Sequence, residues 1–159
     1  MARRIFIAYQ HEDQMKAKGF NLLRWNKSVD VEFVGRHLLD PLDSNNESYI
    51  RSEIKKLISG TSVTVVLLGA NTHDSDWVRW EIESSLNKDN PNGILAIRLD
   101  DSVQIAKDSE VGGVLHDCGA EIIDWIPSEF GDAIERAAKA AGRVVAMKSA
   151  GAADGTCGR

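Results

Sequence analysis

Thr61-Ser62-Val63-Thr64-Val65-Val66-Leu67-Leu68 is apolar on both of the faces that a strand would present. A half-wet strand alternates, so a run of this kind belongs in the middle of a parallel sheet covered on both sides. The next periodic stretch is Ser75-Asp76-Trp77-Val78-Arg79-Trp80-Glu81-Ile82-Glu83-Ser84-Ser85-Leu86. It begins as a helix does: Asp74 or Ser75 can cap the free N–H groups, and Asp76 sits at the positive end of the dipole. Advancing about 100° per residue from Val78, Ile82, Ser85 and Leu86 share a face. Glu81 lies about 60° to one side, toward Trp77 four residues back, while Glu83 points to the wet side. A carboxylate half out of water beside an indole is a candidate functional group. Trp80, about 200° from Val78, is expected on the solvent side, as a self-assembly surface or beneath residues 100–117.

Upstream, Arg4-Ile5-Phe6-Ile7-Ala8-Tyr9 is strongly β-prone. Gln10 to Asp13 turn the chain, and Asp13 can cap a helix over about 14–25. Residues 29–34 alternate with period two, which reads as a strand nearer a sheet edge. A long polar loop, 35–46, holds Arg36 and His37. A helix over 47–59 buries Ile50, Ile54, Leu57 and Ile58 and ends at Gly60. Downstream, Pro91-Asn92-Gly93 is a turn and 93–99 a fourth strand. Residues 100–117 are polar, contain Gly112-Gly113, and promise at best a short irregular helix. Residues 120–125 are a fifth strand candidate. Ser128 caps a last helix to about 141, stopped by Gly142. The expected organisation is one domain over 1–146 with a disordered tail over 147–159.

Strands alternating with helices through short turns imply a three-layer α/β fold. Five strands suit a flavodoxin-like parallel sheet of order 2-1-3-4-5, with helices on both faces. Ligands of such sheets bind at the carboxyl ends of the strands, at the switch point between the first and third. The loops there begin at Tyr9, Gly35 and Gly69, and Glu81 lies about one and a half turns into the third helix, near that rim.

Composition narrows the chemistry. The chain has 159 residues, and a formal net charge of −5 argues against a nucleic-acid binder. Two cysteines, Cys118 and Cys157, make no disulfide framework and fit a reducing cytoplasm. No signal h-region opens the chain, and no run nears the roughly 18 apolar residues of a membrane span. A dinucleotide-binding glycine fingerprint is missing after the first strand, where Tyr9-Gln10-His11-Glu12-Asp13 stands, and there is no Walker A loop. The flavodoxin phosphate loop, the phosphoacceptor aspartate of a receiver and a serine nucleophile elbow are likewise absent. His11, His37, His73 and His116 are scattered singly, so no metal site is expected.

Carboxylate chemistry in a cleft is what remains. One carboxylate suffices to cleave an N-glycosidic bond when the leaving group departs readily. Nicotinamide leaves NAD as a neutral molecule, and a nearby carboxylate can stabilise the oxocarbenium-like ribose. Trp77 or Tyr9 could stack on a flat base.

Ile5-Phe6-Ile7-Ala8-Tyr9 resembles the first-strand box of TIR domains. The run from Gly60 to Gly69, followed by Asp76-Trp77-Val78 and Trp80-Glu81-Ile82-Glu83, resembles a TIR-like family that includes the TIR protein of the bacterial Thoeris anti-phage system. Ala8 stands where many TIR domains have Ser, and the likeness covers about residues 3–100. The resemblance implies the flavodoxin-like fold and NAD cleavage, with Glu81 as the catalytic residue and NAD as a substrate, not a resident cofactor. It also implies a mobile loop at 35–46 that gates the site and mediates assembly, and a cyclic ADP-ribose-type signal read by a separate effector. The expected substrate-binding residues are Ala8, Tyr9, Gln10, Arg36, His37 and Trp77. The expected partners are NAD, a homo-oligomer through TIR contacts and the effector, with neither nucleic acid nor membrane. Two other readings stay open: a TIR interaction module without activity, and a nucleoside deoxyribosyltransferase-like enzyme with Glu81 as nucleophile.

Overall fold

A computed structural model describes residues 3–13, 31–35 and 47–149. Five strands form one parallel sheet: β1 (Arg3–Ala8), β2 (Val31–Gly35), β3 (Val63–Leu68), β4 (Gly93–Arg98) and β5 (Glu121–Ile123). Their order is β2-β1-β3-β4-β5, as the alternation of elements predicts. Of the alternating run at 29–34, the described part from Val31 takes the edge beside β1, and the doubly apolar β3 takes the centre, with every residue buried. The helices are α1 (Glu47–Ser59), α2 (Asp76–Leu86), α3 (Glu110–Asp117) and α4 (Pro127–Ser149).

Strand parity divides the core in two. Ile5, Ile7, Val63, Val65, Leu67, Leu95 and Ile97 meet Phe130, Ala133, Ile134 and Ala137 of α4. On the other face Phe6, Ala8, Val66, Leu68, Ile94 and Ala96 meet α1, α2 and α3 through Ile54, Ile58, Val78, Ile82, Val111 and Leu115. Arg3 adds a two-pronged clamp from β1 to α4, donating to Glu135 at 2.7 and 3.0 Å.

The structure corrects three readings of the second half. Residues 110–117 form a regular helix, capped by Ser109, whose Oγ accepts the Gly112 N–H at 3.0 Å. Gly112 is no breaker there: a Cβ at that position would collide with the Ala106 carbonyl. Gly119 (φ 68°) then ends the helix, with the Gly119 and Ala120 N–H groups bonded to His116 and Leu115. The last helix passes Gly142 and reaches Ser149, beyond both the stop at Gly142 and the boundary at 146. A helical glycine costs only about 1 kcal/mol, and the stretch from Ala137 to Ala141 around it consists of helix formers. Pro127 opens this helix as a first-turn residue, with no need of Ser128 as a cap. Residues 150–159, the helix expected over 14–25 and the loop residues 36–46 lie outside the described residues. No helix among the described residues is long and apolar enough to cross a membrane.

Gly93 is where β4 passes beneath α4, and a Cβ there would run into the backbone carbonyl of Ala137. Gly93→Ala is expected to destabilise the domain by about 1–3 kcal/mol, the usual cost of overpacking. Urea denaturation would check this, and an unchanged midpoint would show that α4 is free to shift.

Candidate functional site

The switch point lies where β1 and β3 run side by side, with Ala8 level with Val66. Past their carboxyl ends the chain makes two short 3-10 turns, His11–Asp13 and Thr72–Asp74. The two turns hold each other. Asn71 Nδ2 donates to both carboxylate oxygens of Glu12, at 3.0 and 3.1 Å. The Asp13 carboxylate packs where a side chain on Gly69 would otherwise stand. Thr72 Oγ1 accepts the Gly69 N–H at 2.8 Å, which closes the β3 loop. Desolvation, and then the neighbouring Glu12 charge, raise the Asp13 carboxyl above its ordinary value, while a hydrogen bond from Thr72 works against them. Sequence reading saw Asp13 only as a helix cap and missed its place on the rim. The signal was available in Gly69, whose lack of a side chain at a strand end marks a close approach.

From this rim α2 descends along the sheet. Ser75, one of the two cap candidates, is the cap, with its Oγ accepting the Val78 N–H at 3.1 Å. Glu81 is 0% exposed, so it lies within the buried face and not at its edge as the helical projection suggests. The reason is that α2 is covered on more than one side. It packs on β1 and β3 and has α1 and α3 as neighbours. Trp77 is half-buried on the same helix, four residues before Glu81.

Trp80 is likewise not a free indole. Its ring lies 5.5 Å from that of Trp77, tilted by 41°. The Arg51 guanidinium of α1 sits over both, 4.8 Å from the Trp77 ring and 4.5 Å from the Trp80 ring. Trp80 therefore packs toward α1 and is not turned out as a free solvent-side indole. On the opposite flank Arg79 donates to Glu110 of α3 at 2.7 Å. That bond is the leading cause that raises the guanidinium and holds the Glu110 carboxyl below its ordinary value. The helix carrying Glu81 is thus braced from both sides.

The structure brings Ala8, Trp77 and Glu81 to one face of the sheet, the face covered by α2. Tyr9 turns to the other: it is 4% exposed and packs in the core cluster under α4. Gln10 stands at the rim, half-buried, where its carbonyl accepts the Asp13 N–H at 2.8 Å. Arg36 and His37 lie outside the described residues. Among the described residues no three His, Cys, Asp or Glu side chains gather so as to hold a metal ion. Chemically, the arrangement offers one fully buried carboxylate on a helix that also carries a half-buried indole and starts from a rim holding Glu12, Asp13 and Asp74.

Two measurements follow from this geometry. The raised Asp13 carboxyl keeps its proton in the folded state at pH values where the unfolded chain has released it. Its contribution to stability is therefore full at low pH and declines as pH rises from the ordinary carboxylate value to the raised one. Asp13→Asn is expected to gain stability relative to the parent at pH 7 and to lose that gain below about pH 4; urea titrations at both pH values would show a constant difference if the carboxylate were freely hydrated. Arg51→Ala is expected to cost about 0.5–1 kcal/mol and to change the tryptophan emission, read by equilibrium unfolding and fluorescence. An unaltered spectrum would contradict the stacked geometry.

The chain is similar to known proteins. The family model described as Thoeris protein ThsB, TIR-like domain, matches residues 6–104. A protein of Bacillus cereus (strain MSX-D12) named "Putative cyclic ADP-D-ribose synthase ThsB1" is 28% identical over 95 residues. That alignment takes in 57% of this chain and 49% of the relative, so the chain spans about half the length of the curated protein it matches. Among solved structures, the TIR domains of the activated Roq1 resistosome directly recognizing the pathogen effector XopQ overlay with a TM-score of 0.46 at 18% identity, covering 92% of this chain and 85% of that one. With more than half of its length matched by the family model, and with β2, β3, β4, the Ala8 strand end and the Trp77–Glu81 helix inside the match, the chain belongs to the TIR-like domain family of the Thoeris protein ThsB.

Proposed function

We propose that this domain cleaves the nicotinamide–ribose bond of NAD and converts the remainder into a cyclic ADP-ribose-type signal for a separate effector in anti-phage defence. One observation supports the reading above the others: Glu81, fully buried, stands on the helix that leaves the ligand rim, in a chain of this family. Cleavage of NAD builds positive charge on the ribose. A carboxylate screened from water acts on such a charge far more strongly than a hydrated one. Nicotinamide leaves as a neutral molecule, so no general acid is needed, which suits a site with one buried carboxylate. Trp77 would hold the flat base, while Ala8 and Gln10 would line the strand end. Arg36 and His37 would meet the pyrophosphate, and Tyr9 would shape the pocket from behind. Cyclisation asks that the adenine end reach the same ribose carbon that nicotinamide has left, in place of water. Assembly through TIR contacts would complete the pocket.

The test is incubation of the purified protein with NAD, with nicotinamide and nucleotide products followed by chromatography. Nicotinamide release is expected, with a loss of about a hundredfold in Glu81→Gln, the scale on which removing one electrostatic stabiliser acts. Activity that survives the substitution would remove Glu81 from the chemistry. Turnover of free nucleosides but not NAD would turn the reading toward a deoxyribosyltransferase-like enzyme, and defined assemblies without turnover toward an interaction module.

A further inference from the structure

Below the rim, on the α2 side of the sheet, four buried polar side chains are joined: Thr61, Thr64, Ser85 and Asn92. Their proton directions can be worked out from the atoms at each end. Ser85 Oγ donates to the Glu81 carbonyl at 2.8 Å, which uses its single hydrogen. The 2.6 Å contact between Thr64 Oγ1 and Ser85 Oγ must then run from Thr64 to Ser85. Thr64, having donated, has only lone pairs left. It receives Asn92 Nδ2 at 3.0 Å. The second Nδ2 hydrogen goes to Thr61 Oγ1 at 2.9 Å, and Thr61 in turn donates to the Ile58 carbonyl at 2.6 Å. Both amide hydrogens of Asn92 are used, and the Asn92 backbone N–H donates to the Ser85 carbonyl at 3.0 Å. A residue that reads in the sequence as part of a turn is 3% exposed and feeds two hydrogen-bond chains. One chain ends at α1. The other ends on the backbone of Glu81.

We propose that Thr64, supplied with a donor by Asn92, is a positioning residue for Glu81: the chain Asn92–Thr64–Ser85 locks the helical turn that carries the carboxylate. The inference rests on the catalytic reading of Glu81. Its physical basis is separate, however, and so is its signature. Ser85 alone would back-bond to the helix and be free to rock it. The donor from Thr64 ties that hydroxyl to the central strand, which cannot move without the whole sheet. Hydrogen bonds in a row at low dielectric also strengthen one another. Thr61 offers an internal control. Its hydroxyl is buried and bonded in the same way, but its branch ends at Ile58 and never reaches Glu81.

The experiment compares Thr64→Val, Thr64→Ser and Thr61→Val in the full chain, beside the parent and Glu81→Gln. Thr64→Val is expected to lower kcat for NAD at least about tenfold with KM little changed, as misplacement of a reacting group does. Thr64→Ser is expected to restore it. Thr61→Val is expected to destabilise to a similar extent and keep parental kcat. Hydrogen exchange supplies a readout independent of turnover: the Ser85 amide, which closes the helical turn on the Glu81 carbonyl, is expected to exchange faster in Thr64→Val but not in Thr61→Val. If NAD is cleaved by the parent and not by Glu81→Gln, yet Thr64→Val keeps parental kcat, the positioning role falls while the catalytic reading stands. If the parent leaves NAD intact, the catalytic reading falls, and the exchange data alone decide whether the lock exists. Equal acceleration in both valine variants would overturn it.

Discussion

Thr64 places a hydroxyl in a strand that water does not reach, and much of the domain is arranged around satisfying it. All of β3 is buried, with helices on both faces. A hydroxyl left without a partner in such a place costs roughly 1–3 kcal/mol. The partners that answer it are Ser85 on α2 and Asn92 at the start of β4. Meeting them fixes how α2 lies on the sheet and how the chain enters β4. The same strand's apolar residues bind both cores together, so one strand sets the packing, and one side chain within it sets the register of the helix above.

The sheet has two unlike ends as a result. At the amino ends of β3 and β4 the polar groups are buried and paired. Lys88 belongs to this end too, donating to the carbonyls of Ile58 and Thr61 at 3.1 and 2.7 Å. Desolvation there holds its ammonium below the usual lysine value. At the carboxyl ends, acidic groups cluster instead. Glu12 and Asp13 from the β1 turn lock onto the β3 loop, and the charge of Asp13 is only partly accommodated. Structural polarity and chemical polarity are separated along the strand axis, and Glu81 lies on the helix that joins the two ends.

The parts of this molecule that could be read in advance are those in which periodicity decides. Double-sided burial of β3, alternation at 29–34, the capping residue Ser75 and the order of strands are all consequences of spacing along the chain. The parts that could not be read depend on what lies across from a residue. Gly112 is tolerated in its helix because a side chain there would meet the Ala106 carbonyl, and Gly142 is passed over because the residues around it favour a helix more than one glycine opposes it. A helical projection turns Trp80 outward, since it knows the sheet and not the neighbouring helix that carries Arg51. Asn92 sits in a Pro-Asn-Gly triplet that reads as a turn, yet it is buried and leads straight into β4 at Gly93.

The amino-acid sequence by itself determined the fold class, the central strand, and the single out-of-place carboxylate at Glu81, because each is written in a local pattern of apolar and polar residues. Tertiary structure decided how deeply Glu81 is buried, that Tyr9 and Ala8 part to opposite faces, that Asp13 belongs to the rim, and that Asn92 and Thr64 reach the backbone of Glu81. These last facts join residues from different elements. Such pairs meet only after the sheet has brought them together, so no spacing along the chain records them.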